Sequence, residues 1–184
     1  MRAPNVEQRK RSGLEKMQAR ILITAIMALG ISGAAAHAQS ANLVKQNRDW
    51  GAYTFSGQNG KICYAVSKPT QLLPTDRNHG DVFFFVSTRP NEQVNNEPSV
   101  IVGYNFREGS TVTANVDGTT FTMFTKGDGA WVQNAAEEQR LINAMKAGRE
   151  MTISGVSGRG TQTTYKFSLS GITASINDAN AACR

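Results

Sequence analysis

Apolar residues spaced two apart, in short runs broken by turn residues, constrain this chain most, because they leave it few folds that are not mainly β. Ile62, Tyr64 and Val66 alternate across Cys63 and Ala65, which gives one strand two unlike faces. Val112, Ala114 and Val116 alternate with polar partners and run into Asp117-Gly118, a dipeptide suited to the left-handed backbone of a tight hairpin. Phe121 and Met123 carry the return strand. Met151 with Ile153, then Tyr165, Phe167 and Leu169, repeat the period. Val100-Ile101-Val102 leads on to Tyr104 and Phe106. Val82-Phe83-Phe84-Phe85-Val86 is apolar throughout, which predicts a strand buried on both faces. A β-sandwich is the natural container for this many strands. Trp50, Trp131 and the Phe83–Phe85 run are assigned to its core, since aromatic side chains dominate ordinary cores.

Two short helices interrupt the pattern. Asn134 stands three residues before Glu137, as in a capping box, and Leu141, Ala144 and Met145 share one helical face before Gly148. After Gly171, the residues Ile172, Ile176, Ala179 and Cys183 recur at helical spacing. That stripe would carry Cys183 toward the core.

Residues 1–38 read as an export signal. Arg9, Lys10, Arg11, Lys16 and Arg20 precede a short apolar run from Ile21 to Ile31, and small residues lead to Ala36-His37-Ala38. These are the three parts a signal peptidase reads. A membrane anchor is the rival reading, but a spanning helix needs about 20 predominantly apolar residues, and Gly30, Ser32 and Gly33 break this run early. Cleavage after Ala38 would make Gln39 the first exported residue. Ala34-Ala35-Ala36 is a second exit, and Met17 a second start for a more compact leader. Residues 39–48 are polar and read as a flexible arm, which leaves 49–184 as a single domain able to bury its own core.

Export changes the charge argument. Six of the 20 Lys and Arg and two of the 14 acids lie in residues 1–38, so the exported part has 14 basic against 12 acidic residues, a net of about +2. Those charges alternate in sign. They do not form the basic stripe with interleaved aromatics that a nucleic-acid binder shows, so no nucleic-acid partner is expected. Cleavage would leave no transmembrane segment.

The chain has two cysteines, Cys63 and Cys183. In an oxidising compartment a lone pair defaults to a disulfide. Closing that loop would stabilise the fold by about 4–5 kcal/mol in the chain-entropy model. Free redox thiols would want a C-x-x-C spacing or an activating neighbour, and two thiols fall short of the four ligands of a structural zinc site.

The search for catalytic chemistry is mostly negative. His79 is the one histidine of the exported part and sits in the turn-like Arg77-Asn78-His79-Gly80, where a solvated loop side chain is expected. No G-x-S-x-G elbow accompanies it, and the carboxylates are scattered over turns and a helix start. Gly127-Asp128-Gly129 lacks the spaced oxygens of a calcium loop. The stretch from Gly155 to Thr161 lacks the Lys-Ser/Thr of a phosphate loop and reads as a hairpin connection. No catalytic residue, cofactor or metal ligand is assigned.

Several segments resemble, in order, the invasion-associated locus B family of exported proteins of Gram-negative bacteria. They are Trp50 ahead of Lys61-Ile62-Cys63-Tyr64, then Gly103-Tyr104-Asn105-Phe106, then Gly127-Asp128-Gly129-Ala130-Trp131. The series continues with Ala144-Met145-Lys146-Ala147-Gly148, Ser157-Gly158-Arg159-Gly160-Thr161 and Phe167-Ser168-Leu169-Ser170-Gly171, before a terminal cysteine. The resemblance implies an immunoglobulin-like β-sandwich with one or two short helices, exported to the periplasm or outer membrane. The function expected is non-enzymatic binding of an envelope protein or surface ligand, with Arg159, Gly160 and Thr161 as a candidate interaction loop. The alternative is an outer-membrane or surface factor in host-cell contact. An enzyme acting on envelope polymers is a third and poorer reading.

Overall fold

Period-two side chains become structure only when one face of each strand finds a core. The computed structural model describes residues 40–184; the signal segment with Ala36 and Ala38, the new terminus Gln39, and both start sites lie outside the described residues. The described residues form one compact unit.

Eleven strands join a single antiparallel sheet: β1 (Asn42–Asn47), β2 (Trp50–Gly57), β3 (Gly60–Ser67), β4 (Gln71–Leu73), β5 (Phe83–Arg89), β6 (Val94–Ile101), β7 (Thr111–Val116), β8 (Thr119–Lys126), β9 (Gly129–Trp131), β10 (Glu150–Val156) and β11 (Gln162–Ser168). Their hydrogen-bonded order is β1-β2-β3-β5-β6-β9-β8-β7-β10-β11-β4. Phe84 of β5 meets Phe167 of β11 edge-on at 5.9 Å. Trp50 of β2 donates its Nε1–H to the Ser168 carbonyl at 2.8 Å. Strands that far apart in the order can touch only if the sheet doubles over. The mainly β fold expected from the sequence is present, and its two facing layers are halves of one continuous sheet.

Between the layers lies a single large apolar cluster, with Trp50, Phe84, Met123, Ile153 and Phe167 among its most buried members. The expected hairpin at Asp117-Gly118 joins β7 to β8, and both residues have positive φ, 45° and 97°. Helix α1 (Ala135–Ala147) starts at Asn134, whose extended backbone and side-chain oxygen cap the Glu137 N–H at 3.0 Å. Its buried face is Leu141, Ile142 and Met145. Helix α2 (Ile172–Ala182) buries Ile172, Ser175, Ile176 and Ala179 and packs on β1, β2 and β3. Cys183 follows it and forms the expected disulfide with Cys63 of β3, their Cα atoms 5.9 Å apart.

Three expectations are corrected. The flexible arm at residues 39–48 contains strand β1, which pairs with β2 from Asn42↔Thr54 to Asn47↔Trp50. An edge strand needs backbone partners more than an apolar pattern, so its polar sequence hid it. Asn47 is also tied down by side-chain bonds to Ser175 Oγ (3.1 Å) and Asp178 Oδ2 (2.8 Å) of α2. Strand β5 is not buried on both sides: Phe84 and Val86 enter the core, while Phe83 and Phe85 are half-buried on the outer face. Trp131 is likewise half-buried on that face, tilted against Phe124 at 6.0 Å.

The disulfide spans 120 residues and pins α2 against β3. Replacing both cysteines by serine should lower unfolding free energy by about 2–5 kcal/mol, read as an earlier urea midpoint for residues 38–184. An unchanged midpoint would show that α2 is held by packing alone.

Candidate functional site

Doubling the sheet brings three loops to one end of the molecule. They are the β4–β5 connection (residues 74–82), the β6–β7 connection (102–110) and the β10–β11 hairpin (157–161). The second and third are laced together: Arg107 N–H bonds the Val156 carbonyl and Gly158 N–H the Asn105 carbonyl, each at 2.8 Å, beside an isolated bridge between Phe106 and Ser157. The first and second meet backbone to backbone. Gly103 N–H donates to the His79 carbonyl at 3.1 Å. A Cβ on Gly103 would stand only 2.5 Å from Gly80 Cα and from the His79 oxygen. Glycine is required at both positions by this approach, and Gly80 also has φ of 63°.

Together the loops enclose a cleft of about 710 Å³. Its floor includes His79, Tyr104 and Thr163, and its lip includes Arg77, Arg159 and Thr161. The candidate interaction loop Arg159–Thr161 therefore lies at the mouth of a concavity. The other assigned pair, Cys63 and Cys183, lies away from it under α2 and serves the fold.

His79 is corrected from a solvated loop residue to a buried one, 7% exposed. Its Nε2 faces the Pro74 carbonyl at 2.8 Å. A carbonyl can only accept, so that nitrogen carries a proton and donates. Its Nδ1 lies 3.0 Å from the Tyr165 hydroxyl. The chain of polar atoms goes on from Tyr165 to the Tyr104 hydroxyl at 2.8 Å, to Thr163 Oγ1 at 2.6 Å, and to the Gly155 carbonyl at 3.3 Å. Each hydroxyl has one proton, so the chain points one way at a time. It runs outward from the imidazole, Tyr165 donating to Tyr104 and Thr163 to the Gly155 carbonyl. Burial, then the Tyr104 hydrogen bond, pushes the Tyr165 phenol far above its ordinary pKa, so this link stays a neutral hydroxyl.

The polar groups of the floor thus satisfy one another, while charge collects at the rim. Arg107, Glu108 and Lys126 line an adjoining hollow that shares Asn105 and Gly158 with the cleft. Across both concavities four cations, Arg77, Arg107, Lys126 and Arg159, face two acids, Asp76 and Glu108. Arg77 has Asp76 within 3.7 Å. Among the described residues no ion pair engages Arg107, Lys126 or Arg159. No group of three or more His, Cys, Asp or Glu among the described residues could hold a metal ion. This chemistry suits recognition of anionic groups by guanidinium donors.

Sequence reasoning had singled out Tyr104, Asn105 and Arg159 within separate segments without placing them together. It missed His79 and Tyr165 as partners. The inward phase of Tyr165 in a period-two strand was the available signal, since a buried phenol must find a partner.

Fold and site together define a mainly antiparallel β protein whose loop end carries a basic, polar-floored cleft. The family model described as Invasion associated locus B (IalB) protein matches residues 50–180, and the chain belongs to that family. Among solved structures it is similar to invasion associated protein B from Bartonella henselae. That similarity is at 12% identity and a TM-score of 0.49, over 76% of this chain and 96% of the other. No curated protein matches the chain.

The hydroxyl chain makes a definite forecast. Tyr165→Phe leaves His79 Nδ1 and Tyr104 without their shared partner and should cost about 1–3 kcal/mol, measured by urea denaturation. Gly103→Ala should cost more and shift amide resonances in residues 77–82, because the two backbones must separate. Equal, small effects of both would contradict the packing described.

Proposed function

We propose that this chain is an exported cell-envelope protein that acts by binding, without turnover, and that its loop-end cleft receives an acidic segment of an envelope partner. The observation that carries this reading is the four-to-two excess of cations over acids around the cleft and its adjoining hollow, with Arg107, Lys126 and Arg159 outside the ion pairs of the described residues. Guanidinium groups pair with carboxylates in bidentate geometry, which gives direction as well as attraction. The state of His79 argues the same way. A general base needs a nitrogen within reach of a substrate proton, and both nitrogens of this imidazole are engaged by Pro74 and Tyr165. The leader-like residues 1–38 and the two cysteines support export to an oxidising compartment, with the periplasm as the proposed address. Among the described residues no helix is long and apolar enough to cross a membrane.

A photo-reactive residue at Asn105, carried by the protein in living cells, tests the binding reading. One discrete adduct is expected, and it should fall at least tenfold when Arg77 and Arg159 are both changed to alanine, with folding unaltered. An adduct indifferent to the arginines would sink the acidic-partner reading. Address is tested by protease on intact cells and on cells with opened outer membranes. Protection until opening supports a periplasmic location, and digestion on intact cells would move the protein to the surface, where host contact becomes the better account.

A further inference from the structure

The two layers present opposite outer faces to solvent. On β7, β10 and β11 the outward positions are of the kind expected of a solvated sheet, with Thr113, Thr152, Ser154 and Thr164 as neighbours in register. On the other layer they are aromatic. Tyr53 of β2 stacks on Tyr64 of β3 at 5.7 Å and 10°, and Tyr64 meets Phe85 of β5 edge-on at 5.7 Å. Phe85 leans on Phe83 at 5.8 Å. Past Ile101 of β6, the Phe124–Trp131 pair of β8 and β9 extends the same face. These side chains shield one another only partly, and Phe124 remains 43% exposed. Neither helix covers the face: α2 packs on the opposite side of β2 and β3, around Ala52 and Cys63, and the buried residues of α1 belong to the inner cluster.

Three observations choose the occupant. First, the charges bordering the β5 side of the face are paired within the chain. Lys68 lies over the Phe83 ring at 4.8 Å and within 3.4 Å of Asp81. Arg89 at the end of β5 is held by Glu97 at 3.0 Å and Glu92 at 2.7 Å. An anionic lipid surface is recognised by a cluster of unpaired cations beside apolar groups; this face offers one, Lys126 of β8, in register with Gly129, whereas a nearly neutral apolar face is complementary to itself. Second, the face crosses six strands, about 24 Å, with two or three outward side chains per strand. That footprint, about 400 Å² in plan, is the apolar centre that a standard interface of about 800 Å² per partner surrounds with a polar rim. Third, the neighbouring free edge is guarded. β1 has a register break between Leu43 and Lys45 and a lysine on it, devices that disfavour strand addition.

We infer that two copies of this chain associate through the Tyr53–Tyr64–Phe85 face, sheet against sheet about a twofold axis. This does not rest on the reading of the cleft. Sedimentation velocity of residues 38–184 over a concentration series should show a reversible dimer. Phe85→Lys should weaken it at least tenfold with an unchanged circular dichroism spectrum. Thr152→Lys, on the opposite outer face, should leave it intact. Should Phe85→Lys fail to fold, Tyr53→Ser at the same face must produce the weakening. A wild-type chain monomeric up to about 1 mM, or a dimer indifferent to these face changes, would overturn the inference. So would a monomer that floats with anionic phospholipid vesicles and loses that property on Phe85→Lys, which would assign the face to lipid.

Discussion

Trp50 holds together parts of the chain that local propensity would leave apart. Its ring is fully buried and contacts Phe84 edge-on at 6.4 Å, and its indole N–H reaches across the core to the Ser168 carbonyl. Its own carbonyl receives the Ser175 hydroxyl from α2 at 3.0 Å. A buried indole donor or helix hydroxyl left without a partner costs about 1–3 kcal/mol, so the two layers and α2 must dock in mutually consistent places. The Cys63–Cys183 link then restricts the unfolded chain around an arrangement the core already prefers. Asn47, bonded to α2 through Ser175 and Asp178, extends the same seam to the edge strand.

Closure of the layers has a consequence at the far end. Three connections separated widely in sequence are forced into one region, and they solve their backbone problem by bonding to one another rather than to water. Gly103 bonds His79, Gly158 bonds Asn105 and Arg107 bonds Val156. Two glycines permit an approach that any Cβ would block. The cleft is therefore preorganised by main chain, and its rim arginines project from a rigid frame. Preorganised donors lose less conformational freedom when a ligand arrives.

Much of this architecture is legible in the sequence where physics is local. The Asp117-Gly118 turn, the Asn134 cap and the stripe from Ile172 to Cys183 follow from backbone geometry and spacing, and each stands where its residues imply. What escaped is non-local. β1 is a strand because β2 lies beside it, which Asn42–Asn47 cannot announce. Phe83 and Phe85 resemble core residues because an apolar side chain carries no label for inner or outer face. His79 read as solvated because its partner Tyr165 lies 86 residues away. The cleft was legible only in pieces, as segments around Tyr104 and Arg159 whose meeting depends on how the sheet folds over.

The distribution of polar groups separates the roles of floor and rim. Inside, the imidazole, two phenols and a threonine hydroxyl close a chain from Pro74 to Gly155 in which each group answers another's valence. Such a chain stiffens the floor, since moving any member would leave a buried polar atom unpaired. Outside, the Arg107 guanidinium lies over Gly160, the residue after Arg159, where an added Cβ would stand 2.9 Å from its nitrogen. Arg107, Lys126 and Arg159 have no ion-pair partner among the described residues, so the rim keeps uncompensated positive charge. A stiff, internally satisfied floor leaves the exposed charge to the rim, and that separation is what the proposed acidic-partner reading rests on.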